Sequence, residues 1–178
     1  PTPWPAFPAP TPNAKVPVIL VGDVVLGEPK AICRYLAARH NRTDLLPDDV
    51  VARARVDQWM DWQATELNTA WRYSFLALVR RIPLLPDAAA IDASIAAWNR
   101  HMVILDGQLA ATRSYAAGDR FTVADIGLGL ATHRWFATPI PRPELPAVSA
   151  DYERLTERPA CRRTGRNGRH SHEHGPRA

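Results

Sequence analysis

The sequence predicts a mainly α-helical protein, in which a short β-hairpin and one helix pack on an all-α helical bundle. Three observations lead to this fold class. Two β-rich runs flank a Gly22-Asp23 pair, an apolar stripe with helical spacing follows, and a nearly all-apolar helix comes after it. The 178 residues are 46% hydrophobic and 22% charged, an ordinary globular composition that provides a sizeable core.

The net charge of +4 belongs to the C-terminal tail. The chain has 22 basic and 18 acidic residues, and after residue 161 one acid, Glu173, stands against five arginines (162, 163, 166, 169 and 177). The rest of the chain is neutral overall, which argues against a folded basic face and against a nucleic-acid partner.

Cysteine usage and hydropathy indicate the compartment. Two cysteines, Cys33 and Cys161, cannot form a disulfide framework, so we expect a reducing, cytoplasmic location. No apolar run approaches the roughly 18 residues of a membrane span, and no signal-peptide pattern opens the chain. We therefore expect no membrane association.

The sequence of residues 1–40 predicts a proline-rich extended segment, a β-hairpin and a helix. Half of residues 1–12 are proline, which predicts an extended segment; a ligand for a proline-recognising domain is the alternative. Residues 16–26 form two β-rich runs around the Gly22-Asp23 turn. Pro29 suits the first position of a helix, which we expect over residues 29–40, before a polar linker.

The remaining chain is helical. Residues 50–81 predict one long helix that Ile82-Pro83 ends. Over residues 87–112 the apolar positions step by four and three residues, which favours a bundle helix over a short coiled coil. Residues 123–136 are apolar nearly all round, which predicts a helix in the middle of the bundle, with Gly127 and Gly129 allowing close approach. A last helix is expected over residues 146–158.

The start of the all-apolar helix carries a capping motif. Thr122 is followed three residues later by Asp125, so each can accept a hydrogen bond from the other's backbone N–H. We interpret this pair as a structural N-cap with no catalytic role.

Four segments resemble motifs of the soluble glutathione S-transferases, of the bacterial type. The first two are Asn-Ala-Lys-Val-Pro-Val over residues 13–18 and Glu-Pro-Lys-Ala-Ile over residues 28–32. The third, Gly-Asp-Arg-Phe-Thr-Val-Ala-Asp-Ile over residues 118–126, is similar to the family's helical capping motif. Pro-Glu-Leu-Pro at residues 143–146, with Arg-Pro-Ala at residues 158–160, resembles its closing segment.

The resemblance implies a layout of five parts. Residues 1–12 are the proline-rich segment, 13–42 a truncated thioredoxin-like glutathione-site domain, and 43–49 a linker. Residues 50–163 are the all-α C-terminal domain, and 164–178 are a disordered Arg/His tail. The family begins with a βαβ unit whose Tyr, Ser or Cys engages the glutathione thiol. Here only about ten proline-rich residues occupy that place, so we match no residue to the catalytic one.

The resemblance also implies a glutathione site. It assigns Lys15 to the glycyl carboxylate of glutathione, Val16 to main-chain pairing with the cysteinyl part, and Glu28 to the γ-glutamyl ammonium. Pro29 stands where the family has a serine that holds the γ-glutamyl carboxylate, and proline has neither its N–H nor its hydroxyl. The alternative for Lys15 and Glu28 is a solvated charge beside a turn.

The helix around residue 71 is implied to line the pocket for the electrophile. Its candidate residues are Trp71, Arg72 and Phe75, with Tyr73 beside them, and aromatic core packing is the alternative. Asp61 or Glu66 could face a partner subunit of a homodimer, against the alternative of a solvated helix face. We expect glutathione as co-substrate and no metal, since His170, His172 and His174 lie in the tail.

Two function classes follow from the sequence. The first is a glutathione S-transferase that joins the glutathione thiolate to small electrophiles. The second is a non-catalytic binding or dimerisation module of the same fold, or a fragment of a longer enzyme. The absent thiol-activating segment and Pro29 favour the second class.

Overall fold

The computed structural model describes residues 17–82 and 87–165, with side chains up to residue 163. Within these ranges it has two strands, six α-helices and two π-helical turns. In chain order they are β1 (Ile19–Val21), β2 (Val24–Leu26), α1 (Pro29–Arg39), α2 (Val50–Trp62), a first π-helical turn (Gln63–Leu67), α3 (Asn68–Leu78), α4 (Ala88–Thr112), α5 (Val123–Ala137), α6 (Pro146–Glu157) and a second π-helical turn (Cys161–Gly165). The predicted fold class is confirmed.

The hairpin forms as its sequence predicts. β1 and β2 pair antiparallel, with Val21 opposite Val24 across a two-residue turn. Gly22 in that turn has φ +58°, which glycine adopts without a steric cost. Leu20 and Val24 are more than half exposed, so the ribbon buries little apolar surface.

The predicted long helix over residues 50–81 needs a correction. The helical path runs from residue 50 to 78, but the π-helical turn Gln63–Leu67 interrupts its α-helical geometry, and α3 ends at Leu78. The Gln63 side-chain amide donates to Asn68 Oδ1 at 2.8 Å and thereby spans this turn. A π-helical turn widens the helix by one residue per turn and re-aims the side chains that follow it.

Two hydrophobic clusters form the core. The larger joins α4, α5 and α6 around Trp98, Met102, Leu105, Leu128 and Trp135, all at most 2% exposed. The smaller joins α1, α2 and the start of α5 through Ala37, Leu46, Val56, Met60 and Val123. Because the smaller cluster contains residues from both sides of the linker, α1 is packed on the helical bundle. The Val123 N–H also donates to the Leu45 carbonyl at 3.0 Å.

The prediction that α5 is surrounded by the bundle is wrong along one face. Ile126 is 38% and Leu130 48% exposed, although Leu128, Ala131 and Trp135 are buried. The physical reason is that the neighbouring helices α1, α2, α4 and α6 leave this face of α5 partly uncovered. The glycine prediction holds at Gly129, where a β-carbon would stand 2.8 Å from Leu155 Cδ1 of α6.

A capping box begins α5. The Thr122 N–H donates to Asp125 Oδ2 at 2.7 Å, and the reciprocal arrangement of the box is present. Asp125 Oδ1 also accepts from the Ala116 N–H at 3.1 Å. The carboxylate therefore fixes both the start of α5 and the loop that leads into it.

Candidate functional site

The N-terminal end of α1 carries the predicted glutathione-site residues that the structure describes. Glu28 precedes the helix with φ 60° and ψ 111°, a conformation that non-glycine residues avoid. Glu28 and Pro29 are both exposed. Lys15 and Val16 lie outside the described residues. Backbone strain of this kind is characteristic of ligand sites.

The same helix end presents backbone donors. The first helical hydrogen bond runs from the Ile32 N–H to the Glu28 carbonyl at 3.0 Å. Pro29 has no N–H, and in the described part of the chain the N–H groups of Lys30 and Ala31 have no acceptor. Free N–H groups and the helix dipole make such an end attractive to an anion.

Polar contacts hold α1 on α2. The Lys30 ammonium donates to the Met60 carbonyl. Arg34 bridges two carboxylates of α2, with Nε 2.6 Å from Asp57 Oδ1 and Nη2 3.0 Å from Asp61 Oδ1. Burial lowers the pKa of Lys30 to about 8, although the charge of Asp61 acts in the opposite direction. These contacts place the strained turn at Glu28 near the C-terminal end of α2.

The thiol of Cys33 lies on the same helix, half-buried. Burial raises its pKa, and the nearby positive charge of Arg34 only partly offsets that effect. The thiol is therefore protonated at neutral pH. Cys33 does not have the properties of an activated nucleophile.

The predicted electrophile-pocket residues occupy different environments. Trp71 and Phe75 pack edge to face with ring centroids 5.2 Å apart, and Phe75 is only 6% exposed. Trp71 also contacts Trp98 and donates through Nε1 to Asn68 Oδ1 at 3.1 Å. Arg72 is exposed. Trp71 and Phe75 thus belong to the aromatic packing of the bundle, and their role in binding an electrophile stays a prediction.

A cavity of about 480 Å³ lies elsewhere, between α5, α6 and the second π-helical turn. Its walls contain the half-exposed Ile126 and Leu130, the His133–Tyr152 pair joined by a 2.7 Å hydrogen bond, and Cys161. Arg42 and Leu45, which follow the C-terminal end of α1, complete one side. α1 has 11 residues and is about 16 Å long, so the cavity and Glu28 lie at opposite ends of it.

Sequence reasoning missed two features of this region. The cavity had a signal in the two large apolar residues four apart, Ile126 and Leu130, next to the small Gly129. The second feature is Arg134, whose guanidinium carbon lies 4.3 Å from the centroid of the Trp71 ring. Its only signal was its position as a charged residue in an apolar helix.

The described residues meet the requirements neither of a metal site nor of a membrane-spanning helix. Among the described residues, no three His, Cys, Asp or Glu side chains form a group that could hold a metal ion. The histidines at 170, 172 and 174 lie outside those residues. The described helices include none that is both long and apolar enough to cross a membrane.

Sequence comparison finds close relatives. The chain is 36% identical over 159 residues to the glutathione S-transferase GstB of Escherichia coli K12, a match that covers 88% of this chain and 76% of that protein. It is 35% identical over 170 residues to glutathione S-transferase 3 of Zea mays, covering 90% and 74% of the two chains. No family model matches the chain.

Structural comparison agrees. The fold superposes on the theta class glutathione S-transferase of Xanthomonas axonopodis pv. citri, solved with glutathione bound, with a TM-score of 0.79 and 39% identity. That match covers 86% of this chain and 73% of the solved one. This chain belongs to the glutathione S-transferase family.

Proposed function

We propose that this protein binds glutathione at the N-terminal end of α1 and transfers it to small electrophiles. The observation that carries the proposal is the 39% identity, over 86% of the chain, to a family member solved with glutathione bound. In the reaction the glutathione sulfur attacks an electrophilic carbon and a C–S bond forms. The leaving group departs with its electron pair, and the thiol proton passes to solvent.

The residue roles extend the family resemblance to this chain. Glu28 pairs with the γ-glutamyl ammonium, Lys15 with the glycyl carboxylate, and the Val16 main chain with the cysteinyl part. Pro29 contributes no donor. We infer that the free N–H groups of Lys30 and Ala31, one and two residues further along, hold the γ-glutamyl carboxylate in its place.

Calorimetric titration with glutathione tests this assignment. Glu28→Gln removes one charge without changing side-chain size, and we expect it to weaken glutathione binding about tenfold because a charge-assisted hydrogen bond is lost. Glu153→Gln, an equally exposed carboxylate on α6, is the matched control and should bind as the wild type does. Equal affinities of all three proteins would contradict the site.

A non-catalytic binding module is the second candidate, and Pro29 is the observation that favours it. The module should bind glutathione without accelerating its reaction with 1-chloro-2,4-dinitrobenzene. A rate above the uncatalysed background, with Glu28→Gln slower than Glu153→Gln, would instead support the transferase. Binding and rate measured on the same preparations separate the two candidates.

We further propose a cytoplasmic homodimer. The free thiols of Cys33 and Cys161 support the reducing compartment. Val103 and Ile104, adjacent on α4 and each about half exposed, support an apolar contact between subunits. Sedimentation equilibrium should give twice the chain mass, and Val103→Arg should shift the protein towards monomer.

A further inference from the structure

Two arginines lie near the aromatic pair of α3, one on α5 and one just after the end of α3. The guanidinium carbon of Arg134, on α5, lies 4.3 Å from the Trp71 ring centroid and 5.1 Å from that of Phe75. Arg80 follows α3, and its N–H donates to the Phe75 carbonyl at 3.1 Å. Burial lowers the pKa of Arg134, and the positive charge of Arg80 lowers it further. The two cations therefore share one side of the bundle.

No described carboxylate neutralises this pair. The ion pairs in residues 17–82 and 87–165 all involve other side chains. Residues 83–86, between Arg80 and α4, are Pro-Leu-Leu-Pro and contain no acid. The next acid, Asp87, accepts from the N–H groups of Ala89 and Ala90 at the start of α4. The local charge is thus uncompensated by the described protein.

The donors of Arg134 are open to a ligand. Stacking on Trp71 and Phe75 satisfies the faces of the planar guanidinium, not its five N–H donors. No described residue accepts a hydrogen bond from it, and the buried side-chain nitrogens without a partner in the described chain belong to Trp98 and Arg154. The Arg134 nitrogens therefore reach solvent, in a geometry that suits a two-pronged contact with an oxyanion.

A purely structural role, as a cation at the C-terminal end of α5, does not explain the position of Arg134. A cation at a helix C-terminus can stabilise the free carbonyls of that end. At the end of α5 this is done by Arg142, which donates to the carbonyls of Trp135 and Thr138 at 3.1 and 2.7 Å. Two like charges on a partly buried surface destabilise the folded state unless an anion binds between them.

We propose that Arg134, stacked on Trp71, binds the carboxylate or sulfonate group of a small molecule with the help of the nearby charge of Arg80, and that this molecule is the electrophilic substrate. The protein would then prefer anionic electrophiles over neutral ones of the same shape. The anion site stands on the arginine geometry alone. The identification of the bound anion as the electrophilic substrate rests on the proposed transferase function.

Binding of an unreactive probe tests the anion site without glutathione. Calorimetry compares 4-nitrobenzoate with the neutral 4-nitrobenzamide, which has nearly the same shape. We expect the wild type to bind the carboxylate at least fivefold more tightly, and Arg134→Met to lose that preference while the methionine still covers Trp71. Arg80→Met should reduce it. Arg100→Met, an exposed arginine of α4, should keep it.

Several outcomes would overturn the anion site. They are equal affinity for the two probes, no binding of either, and a preference that survives in Arg134→Met. Helical circular dichroism of each variant shows whether it folds. If Arg134→Met does not fold, the exposed Arg80→Met decides the question, because its loss removes a charge without disturbing the core.

Kinetics test the link to catalysis. The ratio of kcat/KM for 4-chloro-3,5-dinitrobenzoate to that for 1-chloro-2,4-dinitrobenzene, both with glutathione, should fall about tenfold in Arg134→Met and stay unchanged in Arg100→Met. An unchanged ratio in Arg134→Met would overturn the substrate assignment. If neither electrophile reacts, the transferase function fails, and the calorimetry still decides the anion site.

Discussion

Leu155 Cδ1 of α6 lies 2.8 Å from the point where a β-carbon on Gly129 of α5 would stand. Real side chains do not approach a β-carbon this closely, so α5 and α6 lie close together at Gly129. Gly127 lies two residues earlier on α5. A β-carbon there would have Gln63 Oε1 as its nearest atom, at 3.5 Å, which is an ordinary van der Waals distance. The two glycines of this helix therefore predict different responses to alanine.

Gly129→Ala should leave the protein about 1 kcal/mol less stable than Gly127→Ala does. The end of the Leu155 side chain must move towards the neighbouring cavity to admit the methyl group, and this cost offsets the gain of about 1 kcal/mol from better helix propensity. Gly127→Ala should be neutral or stabilise by up to about 1 kcal/mol. Urea unfolding of both variants measures the difference. Equal changes in the two would contradict the close approach of α5 and α6.

Asp125→Ala should cost about 2–3 kcal/mol of unfolding free energy. The carboxylate accepts three hydrogen bonds, two from Thr122 and one from the Ala116 N–H, and its loss leaves buried donors unpaired. Asp87→Ala removes an exposed N-cap of α4 and should cost only about 1 kcal/mol. Thermal or urea unfolding compares the two. A larger loss at Asp87 would show that burial does not strengthen the cap.

Local chemistry explains why most elements were predictable. Gly22-Asp23 predicts the hairpin turn, and Pro29 and Pro146 stand at the first positions of α1 and α6 as expected. The Thr122–Asp125 spacing predicts the start of α5. Each of these signals acts over at most four residues, so the sequence carries it directly.

Features that depend on distant contacts were not predictable. Nothing in residues 63–67 breaks an α-helix, since they include neither glycine nor proline, yet the helix is π-helical there. The exposure of Leu130 depends on how far α6 covers α5. The stacking of Arg134 on Trp71 joins residues 63 positions apart. Glu28 could be predicted as a site residue only by resemblance, and its strained backbone not at all.

The buried Asp151 of α6 predicts a pH dependence of stability. Burial raises the pKa of the Asp151 carboxyl to about 6. The 3.0 Å hydrogen bond from Arg154 lowers this pKa, but its effect is smaller than that of burial. The unfolded value is about 3.9. Between about pH 4 and 6 the folded chain therefore binds more protons than the unfolded chain. The stabilising contribution of Asp151 is complete below about pH 4 and is lost as the pH rises through 6.

Asp151→Asn isolates this contribution. The unfolding free energy of the wild type minus that of the variant should fall by roughly 2–3 kcal/mol between pH 4 and pH 7, because a shift of one pKa unit corresponds to about 1.4 kcal/mol. Asp92→Asn, an exposed carboxylate on α4, controls for the removal of a negative charge. A difference that stays constant across the range, or rises with pH, would contradict the raised pKa of Asp151.

The strained backbone of Glu28 predicts that one substitution can stabilise the fold and weaken glutathione binding. Glycine adopts φ 60° without a steric cost, so Glu28→Gly should stabilise the fold by about 1 kcal/mol. The same change removes the carboxylate proposed to pair with the glutamyl ammonium, so glutathione should bind at least tenfold more weakly. Calorimetry and urea unfolding measure the two effects.

Arg113→Gly is the matched control for Glu28→Gly, because it also places glycine at a position with positive φ. Arg113 ends α4 with φ 55° in the left-handed region, where glycine should again gain about 1 kcal/mol. Arg113 ends α4, which packs mainly on α3 and α6 and not on α1, so glutathione binding should not change. If both variants gain stability and only Glu28→Gly loses glutathione, the strained turn is maintained for the ligand. If Glu28→Gly binds glutathione like the wild type, the strain at Glu28 has no part in binding it.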